Sequence, residues 1–266
     1  MNINLELLLK IAIEASLEAG DSIMAIYESD DFDVTTKGDD SPLTRADLSS
    51  HNIIKQHLEK TEIPILSEEG KAIAYEERKD WDLLWIVDPI DGTKEFIKKN
   101  GEFTVNIALV QDQKPILGVV YAPAINTIYF SSKDIGAFKN DEVEAPQAVE
   151  EIKASAIKLP VKRDDDKYVV VASKSHMSPE TQEYIDELEK THGKVETISK
   201  GSSLKMCMVA DGTADCYPRF APTMEWDTAA GNAICIGAGK TVLDWETKQD
   251  MVYNRKELLN NWFLVR

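Results

Sequence analysis

The sequence predicts an α+β fold. Two amphipathic helical patterns open the chain, a series of short strands joined by turns follows them, and helices and strands alternate beyond residue 165. Helices followed by a run of sequential strands are typical of α+β proteins, and the later alternation indicates layered structure.

The first two predicted elements are helices. Residues 3–28 carry apolar side chains at three- and four-residue steps, which is the periodicity of an amphipathic helix. A polar stretch, 35–41, reads as a loop. A second helix is predicted over 44–60, with Thr44 and Asp47 as a capping box at its start.

The next elements are strands. Residues 63–67 form a short apolar run that leads into Glu68 and Glu69, and residues 83–87 form a second run that ends at Asp88. Antiparallel strands joined by turns are then predicted at 103–110, 116–121, 127–130 and 137–139.

The second half alternates between the two element types. Helices are predicted at 179–190, 203–210 and 227–237, and strands at 168–172, 195–199, 214–217, 241–244 and 263–265. A polar, charge-rich stretch at 140–165 precedes this pattern, so we expect two halves, 1–145 and 146–266.

The composition limits the possible partners. The chain has 266 residues and a formal net charge of −17, a surface charge that repels polyanions, so we expect no nucleic-acid polymer as a partner. A small anionic substrate remains open, because bound divalent cations can reverse the local field. The three cysteines show no CxxC spacing and predict buried free thiols in a reducing compartment. No signal peptide or apolar span is apparent, so we expect a cytoplasmic protein.

The strongest motif is the segment WIVDPIDGT, residues 85–93. An apolar strand delivers Asp88 and Asp91 into a turn that contains Gly92, and a helix can begin at Thr93. Two carboxylates suit Mg²⁺, and the first amides of a helix suit a phosphate. The alternative is an ordinary turn, but two acids at the end of a buried strand would repel each other.

Three further acidic positions have both a functional and an ordinary interpretation. Glu68 is a candidate ligand, although paired acids are commonly solvated charges. Asp227 opens a helix in the segment WDTAAG, where an aspartate is usually an N-cap. Asp47 caps a helix and could also accept a hydrogen bond from the Thr93 hydroxyl, which would then orient and deprotonate the attacking water.

This set of motifs resembles the lithium-sensitive, magnesium-dependent phosphatases typified by inositol monophosphatase. An acid pair, a WxVDPIDGT segment and a WDxAAG segment all stand intact, and the resemblance covers essentially the whole chain. It implies a layered α-β-α-β-α sandwich like that of inositol monophosphatase and fructose-1,6-bisphosphatase, with the metal motif in 1–145 and the rest of the site in 146–266.

Within that superfamily, the 3′(2′),5′-bisphosphate nucleotidases look most similar. The segments GSSLK at 201–205 and YPRFAPTMEWD at 217–227 carry this likeness, with KGDDSPLTRAD at 37–47 and SKSH at 173–176. The resemblance implies hydrolysis of the 3′-phosphate of adenosine 3′,5′-bisphosphate, a by-product of sulfate activation.

The resemblance also implies roles for residues near the metal motif. Two or three Mg²⁺ ions would be held by carboxylates and one backbone carbonyl, from Glu68, Asp88, Ile90, Asp91 and Asp227. Thr93, supported by Asp47 and together with Glu68, would align the attacking water. The amides of Gly92 and Thr93 would take the phosphate.

Four more residues would face the nucleotide, and Asp227 would line the same site. These four are His176, Ser202, Lys205 and Arg219. Ordinary roles remain open for three of them: a surface position for His176, an N-cap for Ser202 and a solvated helix face for Lys205.

The motifs leave other functions open. An inositol or sugar-phosphate phosphatase of the same fold is the main alternative, and a non-catalytic metal- or nucleotide-binding regulator is a further one. We expect a monomer or a homodimer without a transmembrane span, and a peripheral contact with the inner membrane is left open.

Overall fold

The computed structural model describes residues 3–29, 32–36, 42–143, 148–172 and 177–266. Its helices are α1 (Leu5–Ser29), α2 (Arg45–Leu58), α3 (Tyr75–Arg78), α4 (Thr93–Ile97), α5 (Val149–Ser155), α6 (Pro179–His192), α7 (Leu204–Asp211) and α8 (Glu225–Gly237). Its strands are β1 (Thr35–Thr36), β2 (Pro42–Leu43), β3 (Ile65–Ser67), β4 (Leu83–Asp91), β5 (Thr104–Gln111), β6 (Lys114–Ala122), β7 (Thr127–Ser132), β8 (Gly136–Asp141), β9 (Ile157–Lys158), β10 (Tyr168–Val171), β11 (Val195–Ile198), β12 (Tyr217–Arg219), β13 (Val242–Asp244) and β14 (Phe263–Val265).

A seven-stranded sheet forms the centre of the molecule, in the order β3-β4-β5-β6-β7-β8-β9. All neighbouring pairs are antiparallel except β3 and β4, which run parallel. Because parallel strands end at the same edge, the residues that follow β3 lie beside the end of β4. The Glu68 amide donates to the Val87 carbonyl at 3.1 Å, which places Glu68 next to Asp88.

Helices cover both faces of this sheet. The long helices α1 and α2 pack on one face, and α7 and α8 lie on the other. The approach of α8 requires a glycine on β6, since a Cβ at Gly118 would lie 2.4 Å from the Ala230 carbonyl oxygen.

A smaller layer completes the architecture. The strands β12, β14 and β13 form one sheet and the parallel pair β10 and β11 forms another, and α6 packs against β11 and β12. The layers of the molecule therefore alternate: helices, the large sheet, helices, the small sheets and a last helix. This order confirms the layered α+β fold. The proposed division into halves at residue 145 remains a prediction.

Most predicted elements appear within two or three residues of their expected bounds. The loop prediction for 35–41 was wrong at its start, where Thr35 and Thr36 form β1 by pairing with β2. Helix α8 begins at Glu225, two residues before the predicted start. The strand predicted at 214–217 appears three residues later, as β12, because its regular pairing with β14 begins only at Tyr217. The stretch 140–165 contains α5 and β9, and β9 extends the large sheet by pairing with β8.

The prediction of buried thiols is confirmed. Cys207, Cys216 and Cys235 are free and buried, and burial raises the pKa of each thiol. Within the described ranges, no helix combines the length and apolarity needed to cross a bilayer.

Candidate active site

The end of β4 brings Asp88 and Asp91 to the edge of the large sheet. Asp88 lies opposite Asn106 on β5 and Asp91 lies opposite Thr104, with a register shift between the two pairs. Pro89 sits inside this shift, where a residue without an N–H group is tolerated in a sheet. The irregularity therefore places both carboxylates at the end of the strand.

Gly92 turns the chain from β4 into α4. Its φ is +96°, a conformation that suits glycine, and a Cβ would lie 3.0 Å from the Glu102 carbonyl oxygen. The turn predicted from the WIVDPIDGT segment is thus confirmed, and α4 follows it with five residues. The first amides of α4 follow Asp91 and Gly92 directly in the chain and have no partners within the helix.

Asp88 is buried among other acids. The side chain accepts a hydrogen bond from the Ile90 amide at 3.0 Å. Burial and the negative charges of Glu68, Asp91 and Asp227 raise the pKa of Asp88 well above its usual range. Because each of these charges acts on Asp88, the fold brings the four acids from distant parts of the chain close together.

Asp227 reaches this site from the first turn of α8. It is the third residue of the helix rather than the N-cap, and its carboxylate accepts from the Met224 amide at 2.8 Å. Burial, followed by the charge of Asp91, raises the pKa of Asp227. The aspartate therefore completes a cap of the helix and faces the other acids.

Asp47 and Thr93 are joined by the predicted hydrogen bond. The Thr93 hydroxyl donates to Asp47 Oδ1 at 3.2 Å, while the Thr44 amide and hydroxyl donate to Asp47 Oδ2 at 2.8 Å and 2.6 Å. Burial raises the pKa of Asp47, and the hydrogen bonds from Thr44 oppose that shift. The capping interpretation and the functional one are therefore both compatible with one carboxylate.

The donor set fits a divalent cation by its chemistry. Four carboxylates surround a buried position, and hard oxygen ligands are what Mg²⁺ prefers. Among the described residues, however, no three His, Cys, Asp or Glu side chains are already arranged to hold a metal ion. Since burial and then neighbouring negative charge raise the pKa of Asp88, a cation at this place would relieve the repulsion between the carboxylates.

A serine hydroxyl that was not singled out from the sequence lies at the centre of the site. Ser203 Oγ is 2.8 Å from Asp91 Oδ2 and 2.7 Å from the Asp227 carbonyl oxygen. It also accepts from Asn106 Nδ2 at 2.8 Å. A polar Asn106 within the apolar run of β5 was the available signal for this network.

A cleft of about 360 Å³ opens beside the carboxylates. Asp91, Gly92 and Asp227 line one part of it, and other lining residues include Ser202, Lys205, Tyr217 and Arg219, with Glu95 and Glu102 among them. His176 lies outside the described residues. The cleft thus joins the acidic site to most of the predicted nucleotide-binding residues.

Lys205 is buried rather than solvated, so the alternative of a solvated helix face was wrong. Its ammonium donates to the Ser202 carbonyl at 2.6 Å and to the Lys200 carbonyl at 3.3 Å. Burial lowers the pKa of Lys205 to about 8, and the negative charge of Asp91 opposes this effect. The group is a cation near neutral pH, and these two hydrogen bonds hold it at the cleft through backbone carbonyls.

Two polar atoms beside Lys205 are buried without a hydrogen-bond partner in the described structure: Ser202 Oγ and Arg219 Nε. Ser202 is not the N-cap of α7, which is Ser203, and it adopts a left-handed conformation with φ of +48°. Unpaired buried polar atoms are costly, so both are suited to a polar ligand in the cleft.

The loop that carries Ser202, residues 199–203, is fixed to the opposite rim. The Gly201 amide donates to Glu102 Oε2 at 2.8 Å, and a Cβ at Gly201 would lie 2.8 Å from the Glu102 carbonyl oxygen. A residue larger than glycine would push this loop away from the cleft.

Comparison with known proteins identifies relatives over the whole chain. The profile described as the inositol monophosphatase family matches residues 4–264. A protein of Salmonella typhimurium, the 3′(2′),5′-bisphosphate nucleotidase CysQ, is 42% identical over 97% of this chain and 99% of its own length. The protein of the same name from Escherichia coli strain K12 is 44% identical over 93% of this chain and 94% of its own.

Solved structures give the same result for the fold. The crystal structure of CysQ from Bacteroides thetaiotaomicron, described as a bacterial member of the inositol monophosphatase family, superposes with a TM-score of 0.92. It is 48% identical and covers 100% of this chain and 98% of its own. An inositol monophosphatase of Thermotoga maritima has a TM-score of 0.73 at 24% identity, with coverage of 95% and 89%, and this likeness concerns the fold alone.

Proposed function

We propose, from the premise that this chain belongs to the inositol monophosphatase family, that it is a 3′(2′),5′-bisphosphate nucleotidase. The reaction is hydrolysis of the 3′-phosphate of adenosine 3′,5′-bisphosphate, which gives AMP and phosphate. Relatives of that name, 42% to 44% identical over nearly the whole chain, support the assignment.

One observation carries the choice of a bisphosphate: both acidic and basic side chains line the cleft. The carboxylates of Asp91 and Asp227 can accept divalent cations, and Lys205 and Arg219 line the same cleft as protein cations. A substrate with two phosphates fits both, because one phosphate meets the metal ions and the other meets the basic side chains.

The metal is Mg²⁺, in two or three ions held by Glu68, Asp88, Asp91, Asp227 and the Ile90 carbonyl. When bound there, such ions supply positive charge to the transferring phosphoryl group and to the departing ribose oxygen. In this arrangement, residues 1–145 contribute most ligands, and residues 146–266 contribute Asp227 and the nucleotide contacts.

The protein's own groups position the attacking water. Asp47 already accepts two hydrogen bonds from Thr44, and its remaining oxygen holds the hydroxyl proton of Thr93. The lone pairs of the Thr93 oxygen then point away from Asp47, where they can accept a hydrogen bond from water. If the water gives up that proton to Thr93, the hydroxyl proton of Thr93 passes to Asp47. Glu68, which lies beside Asp88, helps to align this water, and the amides of Gly92 and Thr93 bind the phosphate.

A substrate comparison tests the assignment. Phosphate release in Mg²⁺ is measured for adenosine 3′,5′-bisphosphate, inositol 1-phosphate and fructose 1,6-bisphosphate, with EDTA as the metal-free control. We expect the highest kcat/KM on the nucleotide. A preference for either sugar phosphate would reassign the substrate within the family, and no release from any of them would favour a non-catalytic binding role.

Replacing Arg219 by alanine tests the role of this cation in the cleft. We expect kcat/KM for adenosine 3′,5′-bisphosphate to fall about 10- to 100-fold, because a charged hydrogen-bond donor to the 5′-phosphate is lost. The value for inositol 1-phosphate, which has no second phosphate, should change less than about threefold.

The matched variant is Arg219→Lys, which keeps the charge but loses the planar donors. It should recover part of the nucleotide activity. Equal losses on both substrates in Arg219→Ala would contradict a role for this residue in binding the second phosphate.

A further inference from the structure

The hydroxyl of Ser203 is not used in the way its position in the chain suggests. Ser203 is the N-cap residue of α7, where a serine side chain normally accepts a hydrogen bond from an amide of its own helix. Here it makes no such bond. Ser203 is 3% exposed, and its hydroxyl turns instead to Asp91 and to the Asp227 carbonyl.

Two residues of β5 fix the direction of this hydroxyl. Asn106 Nδ2 donates to Ser203 Oγ at 2.8 Å, and the Thr104 hydroxyl donates to Asn106 Oδ1 at 2.9 Å. Since Thr104 holds the amide oxygen, the amide nitrogen faces Ser203. The serine then uses its one proton towards Asp91 Oδ2 or the Asp227 carbonyl.

The Ser203 hydroxyl is also connected to the cleft, because Ser203 belongs to the loop that lines it. Ser203 directly follows Ser202, whose carbonyl accepts from the ammonium of Lys205 and whose own hydroxyl is buried without a partner. The same loop is held to Glu102 through the Gly201 amide. Any ligand that shifts the 199–203 loop also shifts the hydrogen bond to Asp91.

We propose that Ser203 is a positioning residue that sets the orientation of Asp91 for metal binding and links Mg²⁺ affinity to occupancy of the 199–203 loop by the nucleotide. Thr104 acts through Asn106, and Asn106 acts both through Ser203 and through its own longer contact of 3.5 Å with Asp91 Oδ2. The positioning role rests on the hydrogen-bond geometry, and the link to the nucleotide rests also on the proposed function.

The physical basis is the position of Asp91 among like charges. Left alone, its carboxylate would rotate away from Asp88 and Asp227, because these three acids repel one another. A hydrogen bond from a buried hydroxyl restrains that rotation before a cation arrives. Groups that orient a metal ligand in this way commonly change metal affinity about 10- to 100-fold when removed.

Calorimetric titration of the full chain with MgCl₂ tests the proposal. We expect Ser203→Ala to raise the Kd for Mg²⁺ about 10- to 100-fold. Thr104→Val, which preserves shape and removes a hydroxyl that acts on Asp91 only through Asn106, should raise it roughly 2- to 5-fold. Ser131→Ala is the matched control, because Ser131 is a buried serine on β7 whose hydroxyl has no partner in the described structure.

The link to the nucleotide is measured by repeating each titration with saturating AMP, corrected for Mg²⁺ bound to free AMP. In the unmodified protein AMP should lower the Kd for Mg²⁺ at least about threefold, and by reciprocity Mg²⁺ should tighten AMP to the same extent. In Ser203→Ala this ratio should approach one.

Three results would overturn the proposal. The first is an unchanged Mg²⁺ Kd in Ser203→Ala, and the second is an equal rise in Ser131→Ala, which would indicate general loosening. The third is an AMP effect that is absent from the unmodified protein or survives in Ser203→Ala, which would remove the link. Failure of the proposed function is separate: the unmodified protein would then release no phosphate from adenosine 3′,5′-bisphosphate, whatever its Mg²⁺ Kd.

Discussion

Replacing Asp91 by asparagine is expected to raise the Mg²⁺ concentration needed for half-maximal phosphate release by at least about 100-fold. Asparagine has nearly the same shape and can still accept the hydrogen bond from Ser203. What it lacks is the negative charge that a divalent cation requires from its ligands. The measurement is the initial rate of phosphate release over a range of MgCl₂ concentrations.

The melting temperature provides a second measurement on the Asp91→Asn variant. Asp91 is one of the charges that raise the pKa of Asp88, so its neutralisation relieves repulsion in the metal-free protein. In EDTA, the melting temperature of Asp91→Asn should therefore equal or exceed that of the unmodified protein. The stabilisation that Mg²⁺ adds by binding the folded state should largely disappear.

The matched control is Asp134→Asn, which removes the same charge from an exposed turn between β7 and β8. It should leave both the activation by Mg²⁺ and its stabilising effect unchanged. Normal activity of Asp91→Asn at low Mg²⁺ would show that this carboxylate is not a ligand.

The second large effect is expected at Thr93. Thr93→Val preserves shape but removes the hydroxyl that Asp47 holds at 3.2 Å. Because positioned proton acceptors commonly contribute a factor of about 10² to 10⁴, kcat should fall within that range. The Mg²⁺ dependence should stay near that of the unmodified protein, since no carboxylate is lost.

Thr93→Ser keeps the hydroxyl and provides the comparison for Thr93→Val. Single-turnover measurements of phosphate release in saturating Mg²⁺ separate the chemical step from product release. We expect Thr93→Ser to retain a rate within about tenfold of the unmodified protein. If Thr93→Val reacted as fast as Thr93→Ser, the hydroxyl would have no part in positioning water.

Local sequence patterns were sufficient for most elements of the fold. The capping box of Thr44 and Asp47, the apolar run that ends at Asp88 and the positive φ of Gly92 are all decided by neighbours in the chain. Family resemblance extended these patterns to the layered architecture and the class of enzyme. The bounds of α8 and β12 were wrong because an unexpected cap at Met224 and the pairing with β14 determine them.

The site was harder to predict where a side chain has two suitable partners. Ser203 stands at the predicted start of a helix, but in the folded protein its hydroxyl bonds to Asp91 and not to an amide of that helix. Lys205 could equally have been a solvated lysine, and only the packing of α7 buries it. The neighbouring residues do not decide either outcome. The hydrogen bond of Ser203 depends on Asp91, which is distant in the sequence, and the state of Lys205 depends on its burial.

By itself, the sequence determined which acids end which strands and helices, and with them the chemistry of a divalent-cation site. Tertiary structure alone decided that Asp88 and Asp227 share one buried place, that Ser203 turns to Asp91 and that Lys205 stands beside an unpaired Ser202 hydroxyl. The reason is physical: hydrogen bonding and like-charge repulsion depend on distance and burial, which the sheet register and the packing of α7 and α8 supply.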